Sequence, residues 1–390
     1  MAMPQVVRHI NERRVLEALL RRGAMTRAEI GRELGLTRST AGNLVTGLTQ
    51  AGFLKDGFAT DKEMGELRAG RPGSLVELNG PHAIFLGAEI GVGRIRIVGI
   101  DLRGEVVCRS ESGFDPARSS PIEVVSKLAM EIRKLGGWSD PAKVRGLGIA
   151  VAGLISADGD VIRAPFLNWS NVPLTAIVNE RVEGFSRVLV ENDANVFAMA
   201  EMANANGQAP ADAVYVLLDV GVGGGIVSGN VLVRGRHGSA GEIGHLPLVP
   251  RDDGGAGFKL PGSFESVVGI KALLADYRQL GGCSGDLPGF RHALGKGEPA
   301  AKEALERWAH QLGRGLAILT AVLDPDRFVL GGPAAVLLDA CRMPVEEALR
   351  SHLLASQKLP AIALSKLGQD APAIGSARLL QKQYLSLEWY

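Results

Sequence analysis

Cysteine is scarce in this sequence. Three cysteines occur among 390 residues, Cys108, Cys283 and Cys341, and none belongs to a Cys-x-x-Cys pair. An odd number of widely separated cysteines argues against a disulfide framework and against a zinc site built from cysteines. The pattern is typical of a protein that stays in a reducing cytoplasm.

Long apolar segments are also missing. No uncharged apolar run reaches the roughly 18 residues that a membrane helix needs, and residues 1–14 lack the apolar core of a signal peptide. We therefore expect a soluble cytoplasmic protein with no membrane segment. The hydrophobic content of 46% is ample for sizeable cores and excludes disorder as the main state.

The chain as a whole has no excess of charge of either sign. It carries 43 basic and 42 acidic residues, which argues against a surface that binds nucleic acid or acidic ligands over its whole extent. Residues 1–55 differ, because they hold nine Arg and Lys against four Glu, a net charge of +5. The beginning of the chain is basic and the remainder is not.

This basic segment begins with two predicted helices. Helical spacing of apolar residues predicts a first helix over residues 8–22. Its inward residues would be Ile10, Val15, Leu16, Leu19 and Leu20. Thr26 and Glu29 form a capping box for a second, short helix, and Gly35 ends that helix.

A third helix and two strands complete a winged helix-turn-helix. Thr37 can cap a helix from Arg38 to about Gln50, and strands are predicted over residues 53–55 and 74–78. A helix of this kind fits the major groove of B-DNA. The candidate DNA-contacting residues on and beside its exposed face are Thr37, Arg38, Ser39, Thr40, Asn43 and Thr46. The alternative is a small helical domain whose arginines are only solvated.

Two further candidate DNA contacts lie beyond the wing. Arg68 and Arg71 belong to the segment Glu66-Leu67-Arg68-Ala69-Gly70-Arg71-Pro72-Gly73. Arginines on an extended Gly- and Pro-containing arm suit a narrow minor groove. A plain interdomain linker remains the alternative.

From residue 81 onward the pattern is α/β and is duplicated. Strands predicted over residues 83–90, 93–101 and 105–109 are followed by helix 122–135 and strand 144–151. A second set of three strands is predicted over residues 213–220, 224–228 and 231–234. The glycine turns of the two sets, Gly91-Val92-Gly93 and Gly221-Val222-Gly223, are 130 residues apart. We predict two α/β lobes that face each other across a cleft.

The predicted domain boundaries follow from this pattern. Residues 1–80 form the winged helix-turn-helix and its linker, residues 81–195 the first lobe, and residues 196–375 the second lobe. A C-terminal helix within residues 376–390 has no strand after it and can return to the first lobe.

Polar residues with the chemistry of a sugar site occur at predicted strand ends and turns. Amides, carboxylates and one imidazole can hold vicinal hydroxyls by paired hydrogen bonds. The candidate sugar-binding residues are Asn168, Asn192, Asp193, Glu242, His245 and Glu265. A satisfied histidine without a ligand is the alternative for His245.

At these residues the chain resembles the ROK family (repressor, open reading frame, kinase). The likeness rests, in order, on the helix-turn-helix, on Gly70-Arg71-Pro72, on Asn192-Asp193, on Glu242-Ile243-Gly244-His245 and on Asp324-Pro325-Asp326-Arg327 with Gly331-Gly332. The resemblance implies a two-lobed, duplicated actin-like ATPase fold of the ribonuclease H-like type. It also implies either a sugar kinase or a sugar-responsive transcription factor. Asp193 matches the position of the kinases' general base.

The two glycine turns correspond to the turns that bind the nucleotide phosphates in the family's kinases, but their sequences differ from those of the kinases. Where the kinases have Asp-x-Gly-Gly-Thr-Lys, this chain has Glu89-Ile90-Gly91-Val92-Gly93-Arg94. Where they have Gly-Thr-Gly-x-Gly-Gly-Gly, it has Asp219-Val220-Gly221-Val222-Gly223-Gly224-Gly225. We expect the carboxylate of Asp219 to repel a triphosphate. Because phosphoryl transfer depends on positioning and charge stabilisation, we predict no ATP turnover and no catalytic residue.

The family's zinc site is also altered. The resemblance implies one His and three Cys in a Cys-x-Cys-Gly-x-x-Gly-Cys-Leu-Glu run. Counting back from Glu265 puts Ala256, Phe258 and Ser263 at the cysteine positions. A closed structural zinc site needs about four ligands. We therefore predict no bound metal and no cofactor other than a sugar or sugar derivative.

Together these patterns predict a cytoplasmic, sugar-responsive transcriptional regulator that acts as a repressor. A homodimer or homotetramer would bind palindromic operator DNA, because two-fold symmetry relates the half-sites. Closure of the lobes around the sugar would change the spacing of the recognition helices. One alternative is a DNA-binding sugar kinase, and another is a regulator controlled by a protein partner.

Overall fold

A computed structural model describes residues 3–57, 74–135, 141–205, 208–248 and 262–386. Within them, the N-terminal unit has three helices and a three-stranded sheet. The elements are α1 (Met3–Arg22), β1 (Met25–Thr26), α2 (Arg27–Leu34), α3 (Arg38–Gln50), β2 (Leu54–Asp56) and β3 (Leu75–Leu78). Strand β3 lies between the other two and is antiparallel to both. The predicted winged helix-turn-helix is confirmed.

Local capping sets the ends of α2 and α3. Thr26 and Glu29 make both hydrogen bonds of the predicted capping box, and Gly35 ends α2 with a left-handed φ of 67°. The Thr37 hydroxyl accepts a hydrogen bond from the amide of Thr40 at 3.2 Å and so caps α3. The predicted limits of both helices are confirmed.

Helix α1 is longer than the sequence predicts. It begins at Met3, whereas the prediction began at residue 8. Val15, Leu16 and Leu19 are buried, but Ile10 is 52% exposed. The prediction that Ile10 faces inward was wrong, because the buried face of α1 begins at Val15 and the preceding turns extend past the core of the unit.

The first lobe contains a five-stranded sheet in the order β11-β7-β4-β5-β6. Its strands are β4 (Ile84–Gly91), β5 (Arg94–Asp101), β6 (Val106–Gly113), β7 (Val144–Val151) and β11 (Val188–Asn192). Helices α4 (Pro121–Lys134) and α5 (Leu174–Arg181) belong to this lobe, as does a small sheet of β8 (Leu154–Ile155), β9 (Val161–Ala164) and β10 (Trp169–Val172). Strands β4 to β6 pair antiparallel, whereas β4, β7 and β11 pair parallel.

The second lobe repeats this arrangement. Its sheet has the order β14-β13-β12-β15-β16, with three antiparallel strands followed by two added in parallel. The strands are β12 (Ala213–Leu218), β13 (Val222–Ser228), β14 (Val231–Val233), β15 (Arg327–Gly331) and β16 (Ala361–Leu364). Because both sheets share one strand order and direction, the duplicated fold predicted from the two glycine turns is confirmed.

The remaining helices lie between the lobes or belong to the second lobe. They are α6 (Asp193–Asn204), α7 (Phe264–Val268), α8 (Ile270–Gln279), α9 (Leu287–Gly295), α10 (Pro299–Leu323) and α11 (Leu338–Arg350). Extended backbone at Gly269 (φ −60°, ψ 154°) separates α7 from α8. A Cβ on Gly269 would lie 2.7 Å from the carbonyl oxygen of Val220, so only glycine fits there without a shift.

The last helix, α12 (Ala371–Leu385), starts five residues before the predicted Ser376. It packs on β4 and β7 of the first lobe and on α6. The predicted domain boundaries stay a prediction, and α6 spans the one at residue 195. None of the helices in the described part of the chain is both long enough and apolar enough to cross a membrane.

Candidate functional site

A cleft of about 700 Å³ lies between the lobes. Its walls come from the first-lobe segment around β8 to β10, the start of α6, the β12–β13 turn and the start of α7. The structure brings together in this cleft all six residues predicted to bind sugar, Asn168, Asn192, Asp193, Glu242, His245 and Glu265. Their role as sugar contacts stays a prediction.

Asn192 and Asp193 form the floor of the cleft where β11 ends and α6 begins. The Asn192 Oδ1 accepts a hydrogen bond from the amide of Asn195 at 3.0 Å and caps α6. Its Nδ2 donates to the carbonyl oxygen of Gly153, also at 3.0 Å. The side chain of Asn192 is therefore fixed by the first turn of α6 and by the segment that follows β7, which sets the position of the neighbouring Asp193.

The Asp193 carboxyl lies in an environment that disfavours its charge. Burial, together with the nearby carboxylates of Glu89, Asp219 and Glu242, raises the pKa of Asp193 to about 8, although a hydrogen bond from the Ala194 amide opposes the rise. The raised pKa favours the protonated carboxyl, which can donate a hydrogen bond to a ligand.

Glu242, His245 and Glu265 form the second-lobe side of the cleft. His245 Nε2 lies 3.7 Å from Glu242 Oε2 across one short helical turn. The Glu265 carboxylate accepts a hydrogen bond from the amide of Val222 at 3.2 Å. Burial raises the pKa of both glutamates, and His245 partly opposes the rise in each. The three side chains offer acceptors and an imidazole to one ligand face.

Asn168 and the unpredicted Phe166 lie on the first-lobe wall of the cleft, and the unpredicted Lys271 of α8 lies on the second-lobe side. Asn168 has a left-handed backbone, with φ 58°, and its exposed side chain faces the cleft. Phe166 and Lys271 also line the cleft, with the Lys271 Nζ 5.3 Å from the centre of the Phe166 ring. Sequence reasoning missed both, because no local pattern distinguishes them from other aromatic and basic residues.

The two turns that resemble phosphate loops are bridged by Arg94. Its guanidinium donates to Glu89 at 2.7 Å and to Asp219 at 2.5 Å. Glu89 is 2% exposed and also accepts from Arg96 at 3.0 Å. Asp219 is therefore paired with Arg94 of the other lobe. The expected repulsion of a triphosphate by Asp219 stays a prediction.

The described residues contain no group of three or more His, Cys, Asp or Glu side chains arranged to hold a metal ion. Of the positions aligned with the family's zinc cysteines, Ser263 caps α7, which gives its hydroxyl a structural partner. Ala256 and Phe258 lie outside the described residues. The expected lack of zinc therefore stays a prediction.

The DNA-binding candidates on and beside α3 are exposed except for Thr40, while the opposite face of α3 is buried in the unit. The exposed ones are Thr37, Arg38, Ser39, Asn43 and Thr46. The Thr37 hydroxyl lies 3.1 Å from that of Ser39 and 2.9 Å from that of Thr40. Their role as DNA contacts stays a prediction. The other two candidates, Arg68 and Arg71, lie outside the described residues.

Comparison with known proteins agrees with this architecture. The xylose repressor of Caldicellulosiruptor bescii is 26% identical, over 99% of this chain and 98% of its own length. The crystal structure of a ROK glucokinase from Streptomyces griseus, in complex with glucose and AMPPNP, is 27% identical with a TM-score of 0.66, and covers 76% of this chain and 99% of its own.

A crystal structure of a ROK family transcriptional regulator, described as a homologue of the E. coli MLC protein, shares the fold over nearly the whole chain. It has a TM-score of 0.77 at 24% identity, with 97% of each chain covered. Residues 9–59 match the profile of the MarR family, which covers the helix-turn-helix. Residues 85–383 match the profile of the ROK family, and the chain belongs to that family.

Proposed function

We propose that this protein is a sugar-responsive transcriptional repressor. The observation that carries the proposal is the combination, in one chain, of an exposed polar recognition helix with a cleft that gathers hydroxyl-binding side chains. The likeness to xylose repressors over nearly the whole chain supports it. A pentose or hexose is the effector class, and D-xylose is the first candidate to test.

The kinase-like domain acts as a sensor and not as an enzyme. A nucleotide needs cations and amide donors at its phosphates, but Arg94 is already engaged by Glu89 and Asp219. The raised pKa of Asp193 suits a carboxyl that donates a hydrogen bond to a sugar hydroxyl, and a general base near neutral pH would show the same rise. The engagement of Arg94 is therefore the feature that favours binding over phosphoryl transfer.

A sugar kinase with a DNA-binding unit is the second candidate. It is favoured by the likeness to ROK glucokinases, which covers the two lobes, and by the position of Asp193 on the cleft floor. A coupled assay for ADP release with a panel of hexoses and pentoses separates it from the sensor. Turnover with any of these sugars would replace the repressor proposal.

Operator DNA is recognised by a symmetric oligomer in this proposal. A dimer, or a dimer of dimers, places two α3 helices on half-sites related by two-fold symmetry, so the operator is a palindrome. The protein works in the cytoplasm, where both DNA and the sugar are accessible. The sugar closes the lobes and changes the spacing of the recognition helices.

The test couples selection of DNA with a ligand screen. Duplexes selected from a random library by the full-length protein are expected to converge on a palindrome. Thermal unfolding is then followed with D-xylose, D-glucose, sugar phosphates or ATP with Mg²⁺, since a ligand at 100 times its Kd adds about 2.7 kcal/mol of stability. The sugar that shifts Tm is expected to release the selected duplex. A sugar that binds and leaves operator affinity unchanged would contradict the proposal.

A further inference from the structure

The last helix touches the floor of the cleft through α6. Asn192 caps α6 and Asp193 opens it, and α6 packs along α12. A Cβ on Gly375 of α12 would lie 1.9 Å from the carbonyl oxygen of Val196 on α6. The two helix backbones are therefore in direct contact, and a displacement of α6 displaces α12 with it.

An ion-pair network reaches the start of the same helix. Arg94 joins Asp219 of the second lobe to Glu89, and Glu89 also pairs with Arg96, which is buried. The Arg96 Nε lies 3.4 Å from an oxygen of Asp370, the residue that precedes α12. The phosphate-like turn of one lobe is thus linked by alternating charges to the first turn of α12.

The other end of α12 is inserted between the first lobe and the DNA-binding unit. The Tyr384 ring is 5.8 Å from the ring of Phe53, which follows α3, and 5.4 Å from that of Phe85 in β4. The Tyr384 hydroxyl lies 3.3 Å from His82 Nε2. One hydrophobic core includes residues of α1, α3, β3, β4 and α12. At 1.5 Å per residue, α12 spans roughly 20 Å between these two attachments.

We infer that α12 transmits the state of the cleft to the DNA-binding unit, with Asp370 and Tyr384 as its positioning residues at the two ends. The inference deepens the proposed function and depends on it for the identity of the signal. A packed helix fixed by backbone contact in its first half, at Gly375, and by specific side chains at both ends moves as one body. Closure of the lobes therefore moves Tyr384 against Phe53, and because Phe53 follows α3 in the chain, this movement reorients α3.

The first experiment needs no sugar. Hydrogen exchange of the full-length, ligand-free protein is compared for wild type, Asp370→Asn and the matched control Asp276→Asn. Asp276 also pairs with an arginine and is similarly exposed, 28% against 25% for Asp370, but lies on α8. Only Asp370→Asn is expected to speed exchange, by threefold or more, in the amides of residues 44–57 and 74–82. Equal exchange in both variants overturns the inference.

The second experiment measures the coupling itself. The ratio of operator affinity without sugar to that with saturating D-xylose, or with whichever sugar shifts Tm, is measured for Tyr384→Leu and Tyr384→Phe. Tyr384→Leu is expected to reduce this ratio at least fivefold while the Kd for sugar changes less than twofold. Tyr384→Phe keeps the ring contacts and is expected to restore most of the ratio. An unchanged ratio in Tyr384→Leu contradicts transmission through α12.

The two experiments separate the two proposals. Faster exchange in Asp370→Asn with no response to any sugar would leave α12 as the connector and would refute only the sugar-responsive function. A sugar response together with unchanged exchange and an unchanged affinity ratio would support the sugar-responsive function and refute transmission through α12.

Discussion

Asp193 lies near three other carboxylates, of which Asp219 and Glu242 line the cleft and Glu89 is buried. Burial alone disfavours its charge, and Glu89, Asp219 and Glu242 add repulsion. Arg94 relieves Glu89 and Asp219 by pairing with both. The cleft therefore keeps the carboxylate at the position of the kinases' general base, Asp193. The negative charges of Glu89 and Asp219 are offset by Arg94 of the protein itself.

The raised pKa of Asp193 predicts a specific dependence of stability on pH. Between its ordinary pKa of 3.8 and the folded value of about 8, the folded state holds a proton that the unfolded state has lost. The free energy of unfolding should therefore fall as the pH rises through this window, by at most about 1.4 kcal/mol per pH unit. Asp193→Asn should flatten this part of the curve. Denaturant unfolding at pH 5 to 8 measures it, and parallel curves for the two proteins would contradict it.

His245→Ala should weaken sugar binding while leaving DNA binding intact. The imidazole faces the cleft beside Glu242, and loss of one or two ligand hydrogen bonds costs about 1–3 kcal/mol. We expect the Kd for the sugar to rise roughly tenfold or more in calorimetry. His352→Ala, at an exposed histidine outside the cleft, is the control. Equal sugar affinity in both variants would place the sugar elsewhere.

Arg38→Ala should reduce binding to the selected operator by about 1–3 kcal/mol if the guanidinium pairs with a guanine. Arg38 is exposed at the start of α3. Arg13→Ala on α1, where the side chain pairs with Glu17, is the control and should have a smaller effect. Fluorescence anisotropy with the operator and a scrambled duplex makes the measurement. Equal losses on both duplexes would indicate a phosphate contact.

At the scale of elements, α12 depends on close backbone approach. Gly87 on β4 and Gly148 on β7 face it, and a Cβ on either would meet backbone atoms of α12 at 1.9 and 2.2 Å. Its polar side chains add fixed points, since Gln381 Nε2 donates to the carbonyl of Leu102 at 2.9 Å. The helix is thus a structural part of the first lobe, although it comes last in the chain.

Gly87→Ala should therefore destabilise the protein. The added methyl group must displace α12 from β4, and overpacking of this kind typically costs about 1–3 kcal/mol. Gly295→Ala at the end of α9 is the control, because a Cβ there meets nothing within 4 Å. Urea unfolding is the measurement. A variant at position 87 as stable as the control would show that α12 is not tightly seated.

At the scale of the whole molecule, two ion pairs among the described residues connect the halves of the cleft. Arg94 reaches Asp219, and Arg234 after β14 reaches Glu191 on β11 at 2.8 Å. The first pair is mostly buried and the second more exposed. The buried pair therefore contributes more to keeping the lobes together, since solvent screens the exposed one.

Arg94→Met should open the cleft and lower stability. It leaves Asp219 without its cation inside a partly buried site, and breaking one side of such a pair costs roughly 3 kcal/mol or more. We expect a larger radius of gyration in small-angle scattering. Arg307→Met, at an exposed arginine that pairs with Asp276 within the second lobe, is the control. An unchanged radius would contradict a role for Arg94 in closure.

Local signals in the sequence determined much of the fold of this protein. The capping residues Thr26 and Thr37, the strand alternation and the two glycine turns predicted the winged helix-turn-helix and the duplicated lobes. They succeeded because caps, turns and side-chain periodicity act between residues close in the chain. The family motifs also indicated which polar residues meet in the cleft.

Tertiary structure alone decided the state of the charges and the path of the last helix. Arg94 and Asp219 are 125 residues apart in the chain, so no local pattern could show that one neutralises the other. Likewise, Tyr384 meets Phe53 only because α12 returns across the first-lobe sheet. Which distant residues come into contact depends on how whole helices and strands pack against each other. Such contacts bring the carboxylates together that raise the pKa of Asp193. They also connect the cleft to the DNA-binding unit through α12.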